Sequence, residues 1–250
     1  WVKNPIDQFI LARLEKVGLQ PATATASRDL RRRIYYALTG LPPEAKSEIR
    51  DSKFEINRLM ATPQYGERWA RHWLDVVRYA DSNGLDENAA HANAWRYRDY
   101  VVRAFNADKP FDQFVIEQIA GDLLPAKEEE ARREQRTATG FLSMGPKVLA
   151  EPDKMKMEMD IIDEQIDTLG KALLGLTLGC ARCHDHKFDP IPTADYYALA
   201  GIFKSTKTMD SLKTIAKWHE HSFATPAQKK LKEKHDALIA AQKKVVTAFT

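Results

Sequence analysis

An all-α fold is what this sequence predicts, and three observations carry that expectation. Apolar residues recur at helical spacing along most of the chain, leaving one apolar stripe per segment. No segment alternates with the two-residue period of a half-buried strand. Glycine and proline fall between the periodic segments, as stops, far more than within them. The expected architecture is an irregular multi-helix domain over residues 1–210, built around one short cysteine–histidine motif. Residues 211–250 are expected to form a helical arm or linker leading to a further domain downstream.

Taken in order, Asn4-Pro5 supplies an N-cap and a first-turn proline for a helix reaching Val17, with Ile6, Phe9, Ile10, Leu14 and Val17 as its stripe. Gly18 and Pro21 stop it. Ser27 is expected to cap the next helix, whose basic run 28–33 reads as a solvated face. Leu38-Thr39-Gly40-Leu41-Pro42-Pro43 is a turn, followed by short helical pieces up to Met60. Over 65–80, Trp69, His72, Trp73, Val76, Val77 and Ala80 share one helical face, so His72 is expected to point inward between two tryptophans. Asp81-Ser82-Asn83-Gly84 ends that helix, and the polar loop 85–93 exposes His91. A helix over 94–106 is expected to bury Trp95, Tyr97, Val101, Val102 and Phe105. Another runs from Pro110 to the stop at Gly121 and Pro125, and the charged stretch 127–136 is a solvated helix face or a connection.

A loop over 140–152 leads into a long helix expected at 153–178, with Met155, Met159, Ile162, Ile166, Leu169 and Leu173 as a buried seam. Its other side carries Glu158, Asp160, Asp163, Glu164 and Asp167. Carboxylates four residues apart repel, so arginines from Arg96, Arg98 or Arg103 are expected to compensate them, with a bound cation as the alternative. Thr193 can cap a short helix through Phe203, and the lysine- and alanine-rich stretch 225–246 forms the arm.

Directly after the long helix stands Cys180-Ala181-Arg182-Cys183-His184-Asp185-His186-Lys187, which contains the only two cysteines of the chain. Two thiols three residues apart, followed at once by histidine, have the spacing of covalent haem c attachment. Each thiol can add to one vinyl group of a single porphyrin, and the histidine is then placed to be the proximal iron ligand. Three other chemistries use the same residues. A zinc site from Cys180, Cys183, His184 and His186 would lack the distant second ligand pair that such sites usually have. A thioredoxin-like dithiol wants a βαβ context that is missing here. A Cys180–Cys183 disulfide would close a loop too small to stabilise much.

Composition sets the outer limits. The 250 residues are 44% hydrophobic and 29% charged, enough for a sizeable core in a globular chain. A net charge of +3 gives no basis for nucleic-acid binding. No apolar run reaches the length of a bilayer span. The chain opens on Trp1 rather than methionine and is expected to be a piece of a longer polypeptide, so a missing leader says nothing of compartment. Phosphate-binding glycine loops, nucleophile elbows and internal repeats are absent from the sequence.

Several runs resemble the planctomycete secreted cytochrome-c-like domain family, largely of unknown function. They are Asn4-Pro5-Ile6-Asp7 onward, the 38–43 turn, Tyr65-Gly66-Glu67-Arg68-Trp69-Ala70-Arg71-His72-Trp73-Leu74-Asp75 and Asn93-Ala94-Trp95-Arg96-Tyr97-Arg98-Asp99. Pro110-Phe111-Asp112, Ala120-Gly121-Asp122-Leu123-Leu124-Pro125 and the run 175–190 complete the likeness, which covers about residues 4–209. The resemblance implies an extracytoplasmic protein, periplasmic or secreted, larger than this chain and without an established substrate. Its Cys-x-x-Cys-His falls on Cys180, Cys183 and His184.

The function expected from the motif is one haem c in an electron-transfer domain of a larger oxidoreductase, served by a redox partner protein or by neighbouring domains. A five-coordinate, peroxidase-like haem catalyst is one alternative; a structural or interaction module with a disulfide or metal clip at Cys180 and Cys183 is the other. A carbonyl near Pro190 and Pro192, or Asp189, is expected to accept from His184 Nδ1. His186 is expected to bond a propionate or a neighbouring acid, with Lys187 also near the propionates. For the sixth iron position His72 ranks first, Met144 second and an open site third.

Overall fold

The computed structural model describes residues 1–44, 51–85, 87–213 and 215–249. The architecture is all-α, departing from it among the described residues only in a minimal two-stranded hairpin and an isolated bridge between Ser82 and Ala90. The chain forms two compact units. The first comprises Trp1–His72 and Val102–Lys109, the second Trp73–Val101 and Pro110–Thr250.

In the first unit, helix α1 (Pro5–Lys16) begins as expected. Asn4 accepts from the Asp7 backbone while the Asp7 carboxylate accepts from Asn4, a reciprocal capping box that satisfies donors the helix leaves open. Its apolar stripe, however, is exposed: Ile6 is 68% and Phe9 80% accessible. Helices α2 (Ser27–Leu38) and α3 (Ser52–Met60) pair, and Asp51 caps α3. The Glu55 carboxylate accepts from Tyr35 and Arg58, while Arg58 also donates to the Tyr35 hydroxyl at 2.7 Å. Within the basic run expected to be solvated, Arg31 is buried; it lies over the Tyr35 ring and donates to the Glu44 carbonyl. Of the short helical pieces expected before Met60, those on 45–50 lie outside the described residues.

Helix α4 (Pro63–Val76) starts in the first unit and ends in the second, and its buried positions match the face the periodicity suggested only in part. Gly66, Ala70 and, just beyond the helix, Val77 are buried, whereas His72 is exposed and Trp69 is 37% accessible. Small residues set this face. The Gly66 N–H donates to Asn106 at 2.8 Å, and a Cβ on Gly66 would stand 2.5 Å from that side chain. The inward orientation expected of His72 is therefore corrected; its ring stands edge-on to Trp69.

In the second unit, α5 (Ala94–Asn106), entering from its first half, and α6 (Phe111–Ala120) build an aromatic core with Trp73 and Phe141. Trp73 Nε1 donates to the Tyr97 hydroxyl, which donates to Gln118 at 2.6 Å, so the buried polar atoms of both rings are satisfied. Trp95, expected inside, is 43% exposed and lies under Arg96. Helix α7 (Glu129–Ala138) follows, then α8 (Lys154–Leu169) and α9 (Thr193–Lys204). Strands β1 (Met209–Ser211) and β2 (Lys217–Trp218) pair antiparallel across residue 210, so one pairing crosses the boundary expected between domain and arm. Helix α10 (Pro226–Phe249) corresponds to the expected arm, and its Leu231 and Leu238 are exposed.

Candidate functional site

The motif is positioned by the end of α8. Asp153 caps the helix by accepting from the Met155 and Lys156 backbones. Sixteen residues later the α-helix gives way to a single π turn, Gly170–Leu174, closed by Gly175 in the left-handed region at φ 67°. The long helix expected to reach residue 178 stops here because the chain folds back on itself. Leu176 N–H returns to the Gly170 carbonyl, and a Cβ on Gly170 would lie 2.6 Å from Leu178 Cγ and 2.8 Å from the Leu176 carbonyl. Only glycine allows so tight a return.

The chain then makes a 3₁₀ helix, Leu178–Arg182. At three residues per turn, positions three apart eclipse and so share a face. Leu178 and Ala181 form the inner face, packed with Ile162, Ile166, Tyr196, Ala200 and Phe203. Cys180 and Cys183 form the outer face; both are exposed, and neither is bonded to the other. Hydrophobic burial of the two inner residues therefore turns both thiols to solvent one turn apart.

Arg182, between the cysteines, ties this turn to α8. Its guanidinium lies 2.9 Å from Asp160 and 3.3 Å from Asp163, and its carbonyl accepts from the Tyr197 hydroxyl. Burial would raise the Asp160 carboxyl, but hydrogen bonds from Lys156 and Arg182 outweigh it and hold its pKa below the usual value. Tyr196 donates to Asp163 at 2.5 Å, and burial first, then that carboxylate, pushes the phenol pKa upward. The acidic face of α8 is thus compensated by Lys156, Arg182, Lys171 on Asp167, and Arg78 with Lys147 on Glu164. Of the arginines expected there, Arg98 pairs with its neighbour Asp99 and Arg96 lies over Trp95.

His184 is exposed, and its Nδ1 lies 2.7 Å from the Asp185 carbonyl. A carbonyl can only accept, so Nδ1 carries the proton and the neutral ring keeps its lone pair on Nε2. The acceptor is a carbonyl as expected, but it comes from the adjacent residue instead of the region of Asp189, Pro190 and Pro192. The Asp185 carboxylate turns the other way, accepting from Thr193 N–H at 2.8 Å. It thereby caps α9, whose own N-cap residue, Pro192, supplies no side-chain bond.

His186 is the hub of the following loop. Its side chain is only 6% exposed. Nδ1 accepts the N–H groups of Asp189 at 2.9 Å and Phe188 at 3.3 Å, so the proton sits on Nε2, which donates to Thr177 Oγ1 at 3.0 Å. Its backbone N–H closes on Ile191. The expected bond to a neighbouring acid is not made: Asp189 Oδ2 lies 3.2 Å from Nδ1, but a nitrogen that accepts two N–H groups has no proton to give it. Both ring nitrogens are spent within the loop, which leaves neither for a propionate nor for a zinc ion in this arrangement. Among the described residues, no group of three or more His, Cys, Asp or Glu is arranged to hold a metal ion. Lys187 is exposed, with Nζ over the ring of Phe188, itself 83% accessible.

His72 belongs to the first unit and the motif to the second. Met144, expected in a stiff overhanging loop, is buried instead, and its carbonyl accepts from Lys147 Nζ at 2.8 Å. The Lys147 side chain is fully buried against Glu164, and burial pushes its pKa down. Gly145, at φ 93°, leaves room for that carboxylate. His91 is partly buried beside Trp218, rather than simply exposed, and burial lowers its pKa. Met155, placed in the α8 seam by spacing, is 70% exposed, while Met157 is fully buried in its place.

No helix among the described residues is long and apolar enough to cross a membrane. No curated protein and no solved structure matches the chain. One family, PSCyt2, described as a protein of unknown function (DUF1549), matches residues 5–208, and the chain belongs to it.

Proposed function

We propose that the turn carrying Cys180 and Cys183 is a covalent haem c site and that the chain is an electron-transfer domain of a larger extracytoplasmic oxidoreductase. One observation carries this reading. Two unbonded thiols share the outer face of a 3₁₀ turn whose inner face is packed, and the next residue, His184, offers a bare Nε2 while its Nδ1–H is held by a carbonyl. The donor set fits haem c: Cys180 and Cys183 would each add S–H across one vinyl to hold the porphyrin, and His184 Nε2 would bind the iron.

When bound, the haem supplies one-electron chemistry at iron. The chain supplies the frame. Arg182 and Ala181 fix the turn to α8, the Asp185 carbonyl sets the His184 tautomer and orientation, and the His186 loop holds the downstream backbone. Lys187, exposed beside Phe188, is the cation this segment offers to a propionate. Attachment at exposed thiols leaves the group at the surface, within reach of a redox partner protein or neighbouring domains. The sixth iron position is assigned to no side chain, and a comparison of spin state between wild type and His72→Ala tests the candidate ranked first from sequence.

The test of the reading is export of the chain together with a haem-maturation system, followed by the pyridine-haemochrome spectrum. Cys180→Ala or Cys183→Ala should each move the band as one thioether is lost. A folded, colourless wild-type chain contradicts the proposal.

A further inference from the structure

Away from the motif, the β1–β2 hairpin presents two histidines that no part of the haem reading uses. We propose that His219 and His221 form a two-histidine chelate for a borderline divalent transition metal of the zinc class, with Asp210 orienting His219 from behind.

The sequence His219-Glu220-His221 continues from β2, and His219 N–H pairs with the Thr208 carbonyl at 2.9 Å, so the backbone at the first histidine is fixed. The two rings are neighbours, with centroids 4.8 Å apart and planes at 76°. Two imidazoles sharing one zinc-like ion, each nitrogen about 2.0–2.1 Å from it, hold their centroids roughly 4.5–5.3 Å apart at bond angles of about 90–110°. The observed separation falls inside that interval before any ion is added.

The tautomer favours binding as well. His219 Nδ1 stands 2.7 Å from Asp210 Oδ1, so the carboxylate accepts the Nδ1 proton and the neutral ring keeps its lone pair on Nε2. Lys207 holds the same carboxylate at 2.9 Å and thereby fixes the orienting group. A carboxylate behind a ligating histidine is the usual outer partner of a metal-bound imidazole. His221 is exposed, and His219 is partly so, which leaves the metal side open to solvent. Because no three-residue metal group exists among the described residues, water completes the coordination and the site is of modest affinity.

The test is a zinc titration of the untagged chain carrying Cys180→Ser and Cys183→Ser, both surface positions, so that no thiol competes for the metal. Calorimetry should show one saturable equivalent, and the ring resonances of His219 and His221 should move together. His219→Asn or His221→Asn should abolish that equivalent, and Asp210→Asn should weaken it by about 10- to 100-fold. The proposal is overturned if no saturable binding occurs, if the equivalent survives both histidine changes, or if Asp210→Asn leaves affinity unchanged.

Discussion

Arg182 and Asp160 lie 22 residues apart in sequence and 2.9 Å apart in space, and this pair joins the cysteine turn to the helix that precedes it. The contact is about 29% exposed on each side, so it is weaker than a dry ion pair and stronger than a solvated one. Arg182→Ala should lower stability by about 1–2 kcal/mol, since Asp160 and Asp163 then lose their shared cation. Urea unfolding of the unloaded chain measures this. Haem incorporation should fall alongside, while Arg182→Lys should restore part of both.

The His186 ring satisfies three polar groups that are otherwise left within the loop. His186→Ala should destabilise by about 1–3 kcal/mol, the cost of abandoning Thr177 Oγ1 and two backbone N–H groups. Because the ring serves the loop, the iron spectrum of the loaded variant should remain that of the wild type. A change of spin state would assign His186 to the iron instead.

Gly170 is the residue that lets α8 reverse. Gly170→Ala places a Cβ 2.8 Å from a backbone carbonyl, which cannot swing aside as a side chain can. The expected loss is about 1–3 kcal/mol. Gly201→Ala, at a helical glycine with open space around it, is the control and should be neutral or slightly stabilising.

Acid should weaken the first unit through Glu55. Hydrogen bonds from Arg58 and then Tyr35 hold its pKa down at about 2, against an ordinary value of 4.5. The unfolded chain therefore binds the proton first, so this contribution is complete above about pH 4.5 and is lost as pH falls toward about 2. After screening by solvent it amounts to on the order of 1–2 kcal/mol. Denaturant melts of wild type and Glu55→Gln at pH 7 and pH 3 should differ more at the higher pH.

Local chemistry was legible in the sequence wherever it is settled by neighbours along the chain. The Asn4–Asp7 box starts α1 where expected, and the Cys-x-x-Cys-His spacing marks the turn on which the proposed site rests. What periodicity could not give is which residues of a helix meet another element. In α4 Trp69 outweighs Gly66 and Ala70 in apolar content, yet the small residues are buried because they permit close approach. The same limit shows at the start of the α8 seam, where Met157 is buried and Met155 is not, although Ile162 and Ile166 are buried as expected. The reversal at Gly170 and the capping of α9 by Asp185 depend on contacts made only after the chain has folded back.

The central claim is a covalent bond, and intact mass tests it most directly. The chain exported with haem-maturation machinery, denatured and freed of non-covalent ligands, should weigh one haem more than its sequence. The variant lacking both Cys180 and Cys183 should show the bare mass. A wild-type chain that folds under those conditions and still has the bare mass contradicts the account.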